Sequence, residues 1–172
     1  RRLMPNAVKY QIGTPQTWGD SGRTYTMTLS ALATVAARVG PRGDFGAFPG
    51  IIGFNWYFEC EWTSAPTIDG QAEVWLGGWD DQSTPANPWG QLPSTDTGYA
   101  AAAAGLSKRK NLLMLGGPIV ETSAIGPFST GGFVLFPYRY ISPLVYNNAS
   151  VALATSSTKH FLRLTPVYSE IQ

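Results

Sequence analysis

Three carboxylates raise the first question of chemistry. Glu59 and Glu61 stand two residues apart in an alternating run, a spacing that puts both on one face of a strand about 7 Å from each other. Glu73 follows after a turn, where an antiparallel partner strand would bring it to the same face. Retaining glycosidases work with two carboxyls about 5–5.5 Å apart, and tryptophans suited to sugar stacking lie close by in the chain. The plainer reading of acids at i and i+2 is a solvated outer face, and no catalytic residue is assigned from them. Asp80, Asp81 and Asn87 offer oxygens to calcium, but that ion takes six or more ligands and the loop lacks EF-hand spacing. No metal ligand is assigned either. The single cysteine, Cys60, excludes an intramolecular disulfide and a CxxC metal site. The single histidine, His160, argues against a His-rich metal site or a Ser-His-Asp triad. Cys60 reads as a core residue and His160 as a surface one. Neither a GxSxG elbow nor a P-loop is present. The expectation is a non-enzyme without a cofactor.

Binding chemistry is better represented. Trp56 and Trp62 share the apolar parity of their run and belong to the core, whereas Trp75 and Trp79 take the opposite parity of theirs. Trp18 and Trp89 lie in irregular stretches. Outward rings anchor protein interfaces or make sugar platforms, and the interface is the stronger reading for Trp75, Trp79 and Trp89. Lys108, Arg109 and Lys110 form the densest positive charge. Three bases can touch phosphates, but a nucleic-acid footprint is broader. The cluster is therefore expected to meet an acidic protein surface, with no direct nucleic-acid contact.

The elements that must carry these residues read as strands. The chain has 172 residues, one domain by the usual prior, with 44% apolar and only 13% charged residues. That composition excludes disorder, and no apolar run reaches the 18 residues of a membrane helix. Nineteen glycines and thirteen prolines punctuate short segments. Phe54, Trp56, Phe58, Cys60 and Trp62 alternate with Asn55, Tyr57, Glu59, Glu61 and Thr63, which predicts one long strand with an aromatic inner face. Residues 72–79 are expected to be its antiparallel partner. Strands are also expected at 24–29, 111–120, 132–140, 151–155 and 160–167, with 140–147 a proline-containing bend. Residues 30–39 are ambiguous between helix and strand. Asp96 and Thr97 are placed to cap a short helix through the alanines at 100–104. The chain starts at Arg1 rather than Met, the mark of processing, trimming or a missing start. Residues 1–20 read as an extended arm and 21–172 as the domain. Seven or eight strands with short turns and some long connections predict an all-β, antiparallel two-sheet sandwich, jelly-roll-like in its crossings.

The net charge of +1 hides a segregation. Residues 43–107 hold eight acids and no base, and the rest of the chain holds twelve bases and three acids. The regions either neutralise each other within one fold or steer one molecule onto another.

Several short stretches resemble a family of small jelly-roll virion structural proteins of tailed bacteriophages. They are Thr28-Leu29-Ser30-Ala31-Leu32-Ala33 with Ala37-Arg38, Asp44-Phe45-Gly46, Lys108-Arg109-Lys110-Asn111-Leu112 with Leu115-Gly116, Arg139 through Asn147, and Leu164-Thr165-Pro166 with Glu170. Their order carries the resemblance. It implies a capsid decoration or cement protein on the outer surface of the virion, bound to the major capsid protein, forming a homotrimer and bringing no catalytic residues. It also favours extended structure at 30–37. Two alternatives stand beside it. One is the coat protein of a small icosahedral virus, whose basic arm would here hold only Arg1, Arg2 and Lys9. The other is a carbohydrate- or receptor-binding module with Trp75 and Trp79 lining a groove.

Overall fold

The structure, a computed structural model, describes residues 8–46, 50–79, 92, 94–99, 112–120, 124–155 and 158–171, the side chains at 8, 79, 170 and 171 excepted. All regular structure among them is β. The strands are β1 (Val8–Ile12), β2 (Gln16–Gly19), β3 (Tyr25–Thr26), β4 (Ala36–Val39), β5 (Gly43–Asp44), β6 (Ile51–Cys60), β7 (Ala72–Trp79), β8 (Thr97–Tyr99), β9 (Leu113–Gly116), β10 (Phe128–Leu135), β11 (Tyr140–Asn147) and β12 (Phe161–Ile171). They form two sheets. One runs β10-β6-β12-β2-β3, with β1 also on β12; the other runs β8-β4-β11-β7-β9, with β5 also on β11. Every pairing is antiparallel except β2–β3. The expected antiparallel two-sheet sandwich is what the chain adopts.

The long strand reads as its alternation requires. Phe54, Phe58, Cys60 and Trp62 are almost fully buried, Trp56 nearly so, and Asn55 is exposed. They meet Val74, Leu76, Ile141, Val145, Leu162 and Leu164 in one core between the sheets. Val8–Gly19, read from the sequence as arm, is extended but docked: β1 and β2 both lie along β12, and Trp18 is fully buried with its indole N–H donating to the Pro41 carbonyl at 2.7 Å.

Several expectations are corrected. β7 is not the partner of β6. The chain crosses to the other sheet after Trp62, and β7 pairs with β11 and β9. Residues 140–147 are no bend; they are β11, buried along its whole length. Pro143 is tolerated there because of a gap. A strand residue points its N–H and C=O to the same side. The Pro143 carbonyl accepts from Gly40 N–H at 2.9 Å, so its nitrogen faces the break between β4 and β5, where the ladder is already interrupted. Pro166 repeats the arrangement in β12, accepting from Gly13 N–H at 2.9 Å opposite the break between β1 and β2. Residues 132–140 are not one strand: β10 begins at Phe128 and ends at Leu135. Residues 151–155 contribute only a bridge, Leu153 with Trp62. The segment at 30–39 holds the strand β4 after a turn in which Ala31 and Val35 have positive φ. Thr97–Tyr99 is a strand and not a helix start; the alanines at 100–104 lie outside the described residues.

Candidate interaction surface

The sequence places Glu59 and Glu61 on one face with Glu73 beside them, and the fold carries Glu73 away to the other sheet. Glu59 accepts from the Tyr57 hydroxyl at 2.7 Å on the outer face of β6, and that carboxylate pushes the phenol's pKa up. Glu61 lies 4.0 Å from Lys159. Glu73 is on the other sheet, where it accepts from the Trp75 indole N–H at 2.9 Å and from Asn148 Nδ2 at 3.2 Å. No groups of three or more His, Cys, Asp or Glu able to hold a metal occur among the described residues. Asp80, Asp81 and Asn87 lie outside them.

Cys60 is core as expected, and burial pushes its thiol pKa up. His160 is not the surface residue its sequence context suggested. It is fully buried, with Nε2 donating to the Ala154 carbonyl at 2.8 Å and Nδ1 accepting from Glu61 N–H at 3.4 Å. Both ring nitrogens are thus used to tie β12 to the chain before it and to the end of β6.

Of the expected interface residues, Trp89, Lys108, Arg109 and Lys110 lie outside the described residues. Trp79 is in β7 opposite Tyr140. Trp75 points to the outer face of its sheet as its parity demands, but that face is not bare. Ala37, Val39, Tyr140, Leu144 and Tyr146 form a second apolar cluster there with Leu92 and Leu112, and Trp75 packs half-buried against it. Gly77 leaves the room: a Cβ there would sit 2.9 Å from Leu92.

The segregated charges also meet within the molecule. Arg38 Nε reaches Asp96 Oδ1 at 2.5 Å, Arg139 holds Asp44 through two contacts of 2.7 and 2.9 Å, and Lys159 approaches Glu61. Each pair joins an acid from 43–107 to a base outside it.

The surface left open among the described residues was not singled out by the sequence. It is the edge where β9 and β10 end the two sheets. Trp56 lies between them: a Cβ on Gly132 of β10 would come 3.3 Å from its Nε1, and one on Gly116 of β9 would come 3.7 Å from its Cη2. Neither strand carries a charged residue; they read LMLG and FSTGGFVL. Nine large hydrophobic residues are exposed among those described, and five of them lie at this edge and its connection: Met114, Ile119, Ile125, Phe133 and Leu135. Phe133 is 50% and Leu135 72% exposed. On the outer face of the sheet Leu135, Gly53, Val167 and Ile12 stand in one cross-strand row, exposed at its two ends and buried at Gly53 and Val167. A cleft of about 510 Å³ lies beyond Ile12, between the β1–β2 break and β5, lined by Gln11, Thr14, Gln16, Phe45 and Tyr168 among others. Gln16 Oε1 is buried there with no hydrogen-bond partner. The signal that would have found the edge is compositional: a proline-bounded run with strand character and no charge.

No family model matches the chain, and no curated protein or solved structure matches it.

Proposed function

We propose that the chain is a jelly-roll structural protein of a virion, a decoration or cement protein on the outer surface of a tailed-phage head, held to the major capsid protein by protein–protein contacts. The jelly-roll part is supported by the pairing of eight strands taken in order: β2 with β12, β4 with β11, β6 with β10, β7 with β9. First pairs with last, second with seventh, third with sixth, fourth with fifth. A single long hairpin acquires that order when it is wound into two facing sheets. The phage setting comes from the resemblance of the islands from Thr28 to Glu170.

The observation that carries the assembly role is the gathering of exposed apolar residues at the β9–β10 edge, with Leu135 and Ile12 exposed at the two ends of the row that crosses the sheet. Monomeric proteins rarely leave apolar patches beyond a few hundred Å². The test is to heat and osmotically shock virions with and without the protein. Loss of the genome under milder stress in its absence is the expected result. Equal resistance, or failure of the added protein to sediment with purified heads, removes the reading.

A second reading, carbohydrate or receptor binding, is favoured by the amide-lined cleft at Gln11 and Gln16 with its unmatched carbonyl. A glycan array decides it. Binding should be lost in Gln16→Ala and untouched in Trp75→Ala if the cleft is the site, and no binding by the intact chain eliminates it.

A further inference from the structure

We infer that β10 pairs with β10 of a second copy of this chain, antiparallel, about a two-fold axis through Gly132. An edge strand offers a row of unpaired N–H and C=O groups, and soluble proteins blunt such edges with lysine, inward charge, proline or a bulge. β10 has none of these over eight residues, its only pairing among the described residues is to β6, and no register shift interrupts that pairing. Ser129, Gly131, Gly132, Phe133 and Leu135 are all exposed.

The occupant follows from what the edge would place opposite itself. With the axis at Gly132, Phe133 of each copy lies opposite Gly131 of the other, and Leu135 opposite Ser129. A ring over a cross-strand glycine covers backbone that glycine leaves bare. No like charges meet, because the strand has no charge. Centring on a residue also keeps inner faces on the same side, since directly opposed residues share a face. The two sandwiches then continue as one, and Met114 of β9, 42% exposed, meets the same edge of its partner. Centring on Gly131 instead would leave Leu135 overhanging. An eight-residue strand is about 27 Å long and facing sheets are about 10 Å apart. Allowing for side chains on both layers, two copies bury on the order of 1,000 Å², the lower bound for a specific interface.

The test is sedimentation equilibrium of the intact chain, with two sets of variants. The wild type should show twice the 18.6 kDa chain mass. Ser129→Cys with Leu135→Cys should give a covalent dimer on oxidation. Opposed Cα atoms are about 4.5–5.5 Å apart in such a pairing, within disulfide reach, whereas the two positions lie about 20 Å apart along one strand. Ser129→Lys with Leu135→Lys sets lysine against lysine twice and should weaken association by about ten-fold or more. Ser129→Lys with Leu135→Glu sets lysine against glutamate and should restore it. Thermal melting confirms that the variants fold. A wild type that is monomeric or trimeric overturns the inference, as does a dimer indifferent to the lysine pair. A monomer whose binding to purified heads is lost in the lysine variant gives the edge to the shell protein and overturns it too. A dimer that ignores purified heads upholds the edge pairing while removing the capsid reading.

Discussion

The two edges of the sandwich are finished in different ways. At the β3–β8 edge, Asp96 stands just before β8 and receives Thr28 N–H at 3.1 Å and the Thr28 hydroxyl at 2.6 Å from the chain just after β3, while holding Arg38 of β4. Asp20 accepts from Leu29 N–H and Ser30 N–H at 3.0 and 2.9 Å close by. Side-chain carboxylates thus take up backbone donors that no further strand would satisfy, and one of them ties the two sheets together. At the β9–β10 edge nothing polar spans the sheets among the described side chains; Trp56 fills the gap from within, and the strand outside it is apolar and uncharged. Carboxylates make an edge self-sufficient, because a second strand would have to displace charge-assisted hydrogen bonds to dock there. An apolar edge keeps its backbone groups available. The sandwich therefore has one edge built to end the molecule and one from which another chain can be continued.

The sharpest way to break this contrast is Trp56→Ala. The ring is 9% exposed and lies between two glycines that have no side chains to collapse into its place. Truncating a buried Phe or Trp costs about 3–5 kcal/mol, which in a domain of this size lowers Tm by roughly 10 °C or more. Calorimetry checks it. A cost below about 1 kcal/mol would mean that the open edge is sealed by something other than this ring.

At the other edge the expected effect is smaller and depends on pH. Burial on its own would raise the pKa of Asp96, but the hydrogen bonds from Arg38 and Thr28 outweigh it and hold the carboxyl below its usual range. Arg38 is raised in turn. A carboxylate with a depressed folded pKa lends its stability above the unfolded value, near about 4, and loses it as the pH falls from there toward the folded value. Asp96→Asn should cost about 1–2 kcal/mol at neutral pH, given the partial exposure of the pair, and the gap to wild type should close on acidification below about pH 4. Asp44, lowered by its hydrogen bonds from Arg139, shifts both proteins alike and drops out of the difference. A gap unchanged between neutral pH and about pH 3 would show that the Asp96 charge does not hold this edge.

How much of this could be read in advance follows from what each element faces. β6 was legible because one face meets the core and the other meets water, so its residues alternate by type. β11 was not, because both of its faces are buried: Ile141 and Val145 go to the main core, Leu144 and Tyr146 to the second cluster. Alternation disappears in such a strand, and Pro143 looks like a breaker until the gap opposite it is seen. Trp75 was placed on the correct face, but its cover, Leu92 and Leu112, comes from far along the chain and leaves no local trace. The Asp96 clasp joins residues 58 and 68 positions apart, a distance at which sequence shows an excess of acid in one region and of base in another and nothing of their pairing. The β10 edge was blurred for a different reason. Gly131 and Gly132 interrupt its alternation, and Phe136-Pro137 invites the strand to be drawn too far toward Tyr140.

The smallest expected effect on stability makes the most exacting test of the contrast. Leu135 is 72% exposed at the end of an edge strand whose only ladder among the described residues, to β6, uses backbone groups. Replacing it with lysine removes no buried contact, and a surface change of that kind stays within about 0.5 kcal/mol. Lysine is also the residue with which natural edges are guarded, so Leu135→Lys should leave Tm unmoved while making the protein more soluble and less self-associating. Melting curves at low protein concentration measure the first effect free of the second. A loss above about 1 kcal/mol in the monomer would mean that Leu135 is already held by its own chain, that this edge is closed like the other, and that the difference between them is one of chemistry without consequence for what the protein can join.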